Sequence, residues 1–196
     1  MNQWWQLWEQ YFSAEECTEI VRLGLQREPR EASVGHGGVG HSDPKIRRST
    51  VRWLDRREED VEWIMRKMEH AFRTANCNAF QFDLTYFKEI QFTEYTGQQE
   101  GKYDWHEDLS WTVAQPSRRK LSMVVQLSDP DDYTGGLLEL DTKMAGEEKG
   151  MVPSVRQMRG QGTLVVFPSF LKHRVTPVLK GTRHSLVSWY EGPPFR

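Results

Sequence analysis

Residues 163–190 read TLVVFPSFLKHRVTPVLKGTRHSLVSWY, and this stretch decides the fold class of the chain. It is rich in valine and aromatic residues, and apolar residues alternate with polar ones in its second half, which favours strands. Three strand candidates follow one another here, Thr163–Phe167, His173–Val178 and Thr182–Tyr190. Short strands separated by turn residues are typical of antiparallel sandwiches and barrels.

The same pattern extends back to about residue 80, where Phe80, Phe82, Leu84 and Tyr86 alternate with polar residues. Turn clusters such as Gly135-Gly136 separate the segments. The further strand candidates are Phe80–Tyr86, Glu89–Tyr95, Tyr103–Asp108, Lys120–Leu127, Leu137–Leu140 and Val155–Met158. The sequence therefore predicts a mainly β core over residues 79–191.

The first 78 residues look helical instead. Ser13 and Glu16 form a capping box that predicts a helix to about Arg27, with Cys17, Ile20, Val21 and Leu25 as its apolar stripe. A second helix is expected over residues 58–76. The N-terminal aromatic residues fall at helical spacing and are expected to pack against the core; they are Trp4, Trp8, Tyr11 and Phe12.

The length and net charge of the chain limit its expected domain count and partners. The chain has 196 residues, which suits a single domain, with residues 1–78 as helical support plus a mobile glycine-rich loop. Its net charge of −2 argues against nucleic acid or an anionic membrane as a partner. Two cysteines and the lack of a signal-peptide pattern or a long apolar run lead us to expect a cytoplasmic protein.

Two His-x-Asp triplets stand out as metal-ligand candidates. His41-Ser42-Asp43 lies in the Gly/Pro-containing loop, whereas His106-Glu107-Asp108 ends a strand candidate. Because residues i and i+2 of a strand face the same side, His106 and Asp108 are expected to converge on one ion. The second triplet is therefore the stronger candidate.

One histidine and one carboxylate leave a metal site incomplete, and His173 is the candidate for the third ligand. Two histidines and a carboxylate on one face of an octahedral ion suit non-haem Fe(II) and leave positions open for substrate and dioxygen. The alternative is that His173 is an ordinary residue at the barrel rim.

Arg183, ten residues after His173, is a candidate for binding an anion near the metal site. A hairpin with a three-residue loop, residues 179–181, would pair His173 with Val187 and place His173 and Arg183 on one face, about 13 Å apart. A five-carbon dicarboxylate chelating the metal would bridge that gap to the guanidinium. The alternative is a structural salt bridge from Arg183 to a residue such as Glu139.

The ordered set of these motifs resembles the iron(II)/2-oxoglutarate dioxygenases, specifically the prolyl-4-hydroxylase-like branch, over about residues 80–190. The matching residues are Tyr95-x-Gly97, Tyr103-x-x-His106-x-Asp108, Leu121-Ser122, Gly135-Gly136-x-Leu138, Phe167-Pro168-Ser169, His173-x-Val175-x-Pro177, Gly181-x-Arg183-x-Ser185 and Trp189. The resemblance implies a double-stranded β-helix, or jelly roll, packed against N-terminal helices. It also implies that His106, Asp108 and His173 hold the iron.

Further roles follow from the same resemblance. Arg183 would bind the distal carboxylate of 2-oxoglutarate, and Tyr95, Tyr103 and Trp189 would belong to the co-substrate pocket. Gln126 stands where some relatives have a tyrosine, and its amide is a further candidate ligand for a carboxylate. Trp111, in the segment after the iron motif, is a candidate for stacking on substrate. That segment and the glycine-rich loop are both candidate lids.

The implied activity is hydroxylation of a C–H bond, coupled to decarboxylation of 2-oxoglutarate to succinate. The expected cofactors are Fe(II), 2-oxoglutarate as co-substrate, O₂ and ascorbate. The expected substrate is a prolyl residue in a peptide or protein. Two alternatives stay open: the same chemistry on a free amino acid or other small molecule, and a ligand-binding jelly roll without enzyme activity.

Overall fold

Two antiparallel sheets face each other, and helices cover the outer side of the larger one, in a computed structural model that describes residues 4–32, 43–111, 116–142 and 155–195. The strands are β1 (Gln6–Trp8), β2 (Arg30–Glu31), β3 (Arg47–Arg48), β4 (Thr50–Leu54), β5 (Tyr86–Thr96), β6 (Lys102–His106), β7 (Arg118–Gln126), β8 (Tyr133–Gly135), β9 (Leu138–Leu140), β10 (Leu164–Pro168), β11 (His173–Val175) and β12 (Val178–Gly192). The α-helices are α1 (Ala14–Leu25), α2 (Glu62–Ala75) and α3 (Val155–Arg159), and a π-helical turn spans Asn76–Phe80. The predicted jelly roll is confirmed.

The larger sheet has the strand order β1-β10-β7-β12-β5-β4-β2, with β8 also paired to β12. The smaller sheet has the order β3-β6-β11-β9. Neighbours that are distant in the chain, such as β7 and β12, carry most of the pairing, as in a jelly roll.

Alternation along the central strands separates two cores. On β12, Leu186 and Tyr190 face α1 and α2, whereas Val187 packs with the side chains between the sheets. Tyr95 and Val124 join the inter-sheet core from β5 and β7. The inter-sheet face of the larger sheet is therefore the face opposite to α1 and α2.

Helix α1 begins as predicted. Ser13 caps it, and Glu16 returns a bond to the Ser13 backbone, so both halves of the capping box are present. The predicted apolar stripe is wrong at one position, because Leu25 is 47% exposed and Leu23 is buried instead. Gly24 explains the shift: a Cβ at this position would lie 2.4 Å from the Phe92 ring, so the helix contacts the sheet through a glycine.

Three local predictions are wrong. Residues 6–8 form strand β1 instead of a helix, although the aromatic residues do pack against the cores. Residues 81–85 are not a strand, because the Asn76 side chain bonds both the N–H and the C=O of Phe82 and holds a loop there. Residues 155–159 are helical.

The predicted hairpin between His173 and Arg183 is also wrong. β11 pairs with β6 and β9 in the smaller sheet, whereas β12 belongs to the larger sheet. Residues 178–181 are no loop, since β8 pairs with them and they open the long strand β12. His173 and Arg183 consequently lie on opposite sheets.

Two predicted features lie outside the described residues: the glycine-rich loop over 33–42, which includes His41 and Ser42, and residues 112–115 of the second candidate lid. Among the described helices, none has the length and apolar character that crossing a bilayer requires.

Candidate metal centre

The side chains of His106, Asp108 and His173 meet between the two sheets. His106 ends β6, Asp108 follows two residues later, and His173 begins the adjacent strand β11. Their ligand atoms all lie within 4.8 Å of one another. Asp108 Oδ1 is 3.8 Å from His106 Nε2, and Asp108 Oδ2 is 3.4 Å from His173 Nε2. The structure thus brings together His106 and Asp108, which the spacing predicted to converge, and His173, the candidate third ligand.

Backbone carbonyls orient both imidazoles. His106 Nδ1 lies 2.7 Å from the carbonyl oxygen of Asp104, and His173 Nδ1 lies 2.9 Å from that of Leu171. Since a carbonyl only accepts, Nδ1 carries the proton in each ring and Nε2 is left as the ligand atom. The Tyr103 ring stacks on His106 with 3.5 Å between centroids and fixes its plane.

Asp108 is held from two sides. Its backbone N–H donates to the carbonyl of Ser169, and Ser122 Oγ donates to Asp108 Oδ2 at 2.7 Å. Ser122 is in turn bonded to the Ser169 hydroxyl. Such supporting hydrogen bonds orient a metal-binding carboxylate and raise metal affinity.

The protonation states suit a metal. Burial, reinforced by the neighbouring His173, lowers the pKa of His106 to about 3. Burial raises the pKa of Asp108, but the two histidines outweigh it and hold that pKa well below its usual range. Burial lowers the pKa of His173, but Asp108 outweighs it and the pKa is raised. Asp108 is therefore an ionised carboxylate, and His106 is a neutral imidazole at neutral pH.

This donor set fits Fe(II). Two imidazole nitrogens and one carboxylate from one side leave the opposite side of an octahedral ion open. The three candidate ligands line a narrow cavity of about 30 Å³ together with Tyr95, Tyr103 and Arg183. We call this the inner cavity.

Arg183 enters the inner cavity from β12 and is 1% exposed. Its Nη2 donates to Gln126 Oε1 at 2.8 Å, its Nη1 lies 3.4 Å from Ser185 Oγ, and its guanidinium lies 5.3 Å from the centre of the Tyr95 ring. Arg183 Nε is buried without a partner. No carboxylate of the described residues pairs with Arg183, and Glu139 pairs with Arg174. The predicted alternative of an Arg183–Glu139 bridge is therefore wrong.

A buried cation without a counter-ion is costly, and an anion bound in the cavity would offset that cost. The unpartnered Nε and the guanidinium fork suit a carboxylate. The charges and hydrogen-bond donors that line the inner cavity thus suit a dicarboxylate such as 2-oxoglutarate, with the His-Asp-His cluster at one end and Arg183 at the other.

The other three predicted site residues, Gln126, Trp189 and Trp111, do not line the inner cavity. Gln126 is bonded to Arg183 through its carbonyl oxygen, so it acts on the guanidinium and is not among the residues that line the cavity. Trp189 lines a neighbouring cavity of about 270 Å³ together with Asp108 and Arg119. Trp111 is 61% exposed, and its indole N–H donates to Glu107 at 3.1 Å.

Sequence reasoning missed Gln91 and Arg47, which line both cavities. Gln91 shares the inner face of β5 with Tyr95, four residues later, so the alternation pattern holds the signal. Arg47 lies over the Tyr103 ring at 4.5 Å. It enters from β3, a two-residue strand that no sequence period would reveal.

Curated relatives match a little less than half of the chain. A PKHD-type hydroxylase of Synechococcus sp. (strain CC9605) is 37% identical over 89 residues, which are 45% of this chain and 36% of that protein. A PKHD-type hydroxylase of Teredinibacter turnerae is 35% identical over 94 residues, which are 46% of this chain and 38% of that protein. The chain thus spans little more than a third of the length of these relatives.

Solved structures share the fold over nearly the whole chain. A prolyl-4-hydroxylase of Pseudomonas putida superposes with a TM-score of 0.70 at 24% identity, covering 97% of this chain and 94% of that one. A prolyl hydroxylase of Trichoplax adhaerens, in complex with a hypoxia inducible factor peptide fragment, gives 0.72 at 17% identity, covering 95% of this chain and 83% of that one. The family model for the 2OG-Fe(II) oxygenase superfamily matches residues 90–191, just over half of the chain and the part that carries all three candidate ligands and Arg183. The chain therefore belongs to the 2OG-Fe(II) oxygenase superfamily.

Proposed function

We propose that this protein is an Fe(II)- and 2-oxoglutarate-dependent dioxygenase that hydroxylates a prolyl residue in a peptide or protein. The observation that carries the proposal is the inner cavity, which combines the His106-Asp108-His173 cluster with a buried Arg183 that pairs with no carboxylate of the described residues. A ligand-binding jelly roll without enzyme activity would need neither the metal ligands nor the buried cation.

His106, Asp108 and His173 would hold the iron, and Arg183 would hold the distal carboxylate of 2-oxoglutarate. When bound, Fe(II) together with 2-oxoglutarate and O₂ supplies an oxidative decarboxylation to succinate and CO₂ and inserts oxygen into a C–H bond. Ascorbate is expected to support repeated turnover. A cytoplasmic location stays a prediction from the sequence.

The side chains of the protein bind and orient the co-substrate and exclude water from the inner cavity. Arg183 and Gln126 set the far end of the co-substrate, and the stacked Tyr103 ring keeps the His106 imidazole in one plane. Val124, Leu138 and Val187 add apolar walls to the inner cavity. Such walls exclude water and confine the reaction to the bound molecules.

A peptide is the substrate that the surroundings favour. The 270 Å³ cavity touches Asp108 and Trp189 at its inner end and reaches the exposed residues Arg30 and Glu31 at its outer end. An extended chain can follow such an open path, whereas a free amino acid calls for a closed pocket. The names of the relatives agree with this choice, since they are hydroxylases and two neighbouring structures are prolyl hydroxylases.

The test is mass spectrometry of a proline-containing peptide library incubated with the protein, Fe(II), ascorbate and 2-oxoglutarate. We expect a gain of about 16 Da on a prolyl residue together with an equal amount of succinate. His106→Ala protein is the matched control and should give neither product. Succinate formation that is stimulated by free amino acids, with no peptide in the library modified, would contradict the peptide substrate.

A further inference from the structure

A groove runs outward from the metal centre along the edge of the sandwich. The 270 Å³ cavity beside Asp108 and a second cavity of about 430 Å³ share Arg30, Glu31 and Arg47. The second cavity extends to Arg48 and Pro44. The two cavities therefore adjoin each other along these three residues, and we call them together the arginine groove.

The lining of the arginine groove is strongly basic. It contains Arg30, Arg47, Arg48 and Arg119, against Glu31 and the candidate metal ligand Asp108. This excess of positive charge stands on a chain whose net charge is −2. The arginine-containing stretches 47–48 and 118–119, taken from the sequence alone, would be an ordinary solvated surface.

Two of these arginines have no carboxylate partner within the part of the chain that the structure describes. Arg30 is exposed, and the Arg119 guanidinium lies 3.7 Å from the centre of the Trp189 ring. Arg48 donates to the backbone carbonyls of Glu100 and Pro44, and its carboxylate partner, Glu100 at 3.3 Å, is 71% exposed. The groove therefore presents positive charge that an incoming anionic group can neutralise.

Strand pairing gives the distance of this charge from the metal centre. In the register of β3 and β6, Arg47 is opposite Tyr103 and Arg48 is opposite Lys102, which are three and four residues before His106. At ~3.3 Å per residue, the two positions lie about 10 and 13 Å along the strand from that ligand. An extended peptide covers this distance in three to four residues.

We propose that the arginine groove selects peptides that carry an acidic side chain about three or four residues from the hydroxylated proline. The inference rests on the proposed function and adds the class of peptide to it. A peptide suits the groove better than a nucleic acid, because a long polyanion would also meet the acidic remainder of the chain.

Binding measurements on the unaltered protein test the proposal first. The probes are fluorescein-labelled nine-residue peptides with a central proline and a single Glu, Gln or Lys, placed three or four positions before or after it. Fluorescence anisotropy is recorded without oxygen, on protein loaded with Fe(II) and 2-oxoglutarate. At low salt we expect the Glu peptide of one series to bind about fivefold more tightly than its Gln counterpart, with the Lys peptide weakest. The difference should shrink at 0.5 M NaCl.

Charge reversal locates the effect. Arg30→Glu combined with Arg48→Glu should abolish or reverse the preference for Glu over Lys. Arg66→Glu, on the exposed side of α2 and outside the groove, reverses a single charge away from the proposed site and should leave the preference intact. Equal affinity for Glu, Gln and Lys peptides in both series, or loss of the preference in Arg66→Glu alone, would overturn the proposal. So would equally tight binding of a labelled RNA nonamer.

The binding assay also separates this proposal from the proposed function. A Glu preference without any hydroxylation would keep the groove as an acidic-peptide site and remove proline as the target. Hydroxylation of prolyl peptides with no Glu preference would keep the proposed function and remove this inference.

Discussion

Arg183 and Gln126 meet inside the sandwich, where Arg183 Nη2 donates to Gln126 Oε1 at 2.8 Å. A neutral amide thus holds a buried guanidinium that no carboxylate of the described residues neutralises. The amide satisfies one N–H edge without cancelling the charge, which leaves the charge for an anion arriving from the inner cavity. Gln126 is in this sense a positioning residue for Arg183.

Replacing Arg183 by alanine should raise the 2-oxoglutarate requirement strongly. A hydrogen bond to a charged group contributes about 1.5–3 kcal/mol, which corresponds to roughly 10- to 100-fold in affinity. Succinate formation without substrate, measured against 2-oxoglutarate concentration, gives the shift, and Arg183→Lys should recover part of it. Unchanged turnover at low 2-oxoglutarate in Arg183→Ala would refute the assigned role.

Gln126→Glu should weaken 2-oxoglutarate binding more than Gln126→Ala does. An ionised carboxylate at this position would pair with Arg183 and compete with the co-substrate, whereas alanine only removes the acceptor. The dissociation constant of 2-oxoglutarate from Mn(II)-loaded protein measures both effects without turnover. If the two variants bind 2-oxoglutarate equally well, the amide does not position the guanidinium.

Ser122→Ala should reduce metal affinity about 10- to 100-fold, because it removes the hydroxyl that orients Asp108 Oδ2. Titration with Mn(II), followed by electron paramagnetic resonance, reports the affinity directly. Turnover should return at saturating Fe(II), since the ligands themselves remain. A variant whose metal affinity matches the unaltered protein would show that the backbone bond from Asp108 to Ser169 is sufficient.

His106→Ala should abolish both metal binding at micromolar Fe(II) and succinate formation, because two ligands cannot hold the ion in place. His70→Ala, on the exposed surface of α2, is the matched control and should leave both unchanged. Retained activity in His106→Ala would transfer the ligand role to another histidine, such as His41 of the second His-x-Asp triplet.

Gly24→Ala should destabilise the fold by about 1–3 kcal/mol. The added methyl group would meet the Phe92 ring, which is buried under α1, so the helix or the ring must shift. Urea unfolding gives the change in free energy, and Thr18→Ala on the exposed side of the same helix is the control. Equal stability of both variants would mean that α1 can move away from the sheet at no cost.

The sequence predicted structure best where the interacting residues are only a few positions apart in the chain. The capping box at Ser13 involves groups three residues apart, and the His106-x-Asp108 spacing places two ligands at one strand end whatever the rest of the chain does. The family resemblance added His173 and Arg183, and the structure places both in the same cavity.

Long-range pairing could not be derived in the same way. His173 and Arg183 look like partners in a hairpin, yet their strands join different sheets. β11 pairs with β9 and β12 pairs with β8, and these pairings could not be derived from the sequence. Both residues line one cavity, although the register from which a shared face was predicted is wrong. The cavity brings them together across the sandwich instead of along a ladder.

Short segments failed for another reason. The segment 155–159 is too short for the spacing of its apolar residues to distinguish a strand from a helical turn. Leu25 fits a helical stripe, but the close approach of Gly24 to Phe92 turns the helix so that Leu25 points outward. Both outcomes depend on tertiary contacts that no single window contains.

The candidate metal ligands are carried by the smaller sheet, and the Arg183 guanidinium is carried by the larger one. The distance between the two sheets therefore sets the length of dicarboxylate that can reach from the metal ligands to Arg183. Face-to-face sheets keep a nearly constant separation of about 10 Å. We therefore expect the separation of the sheets to favour one carbon number among dicarboxylates, and core substitutions that change this separation to alter the affinity for 2-oxoglutarate.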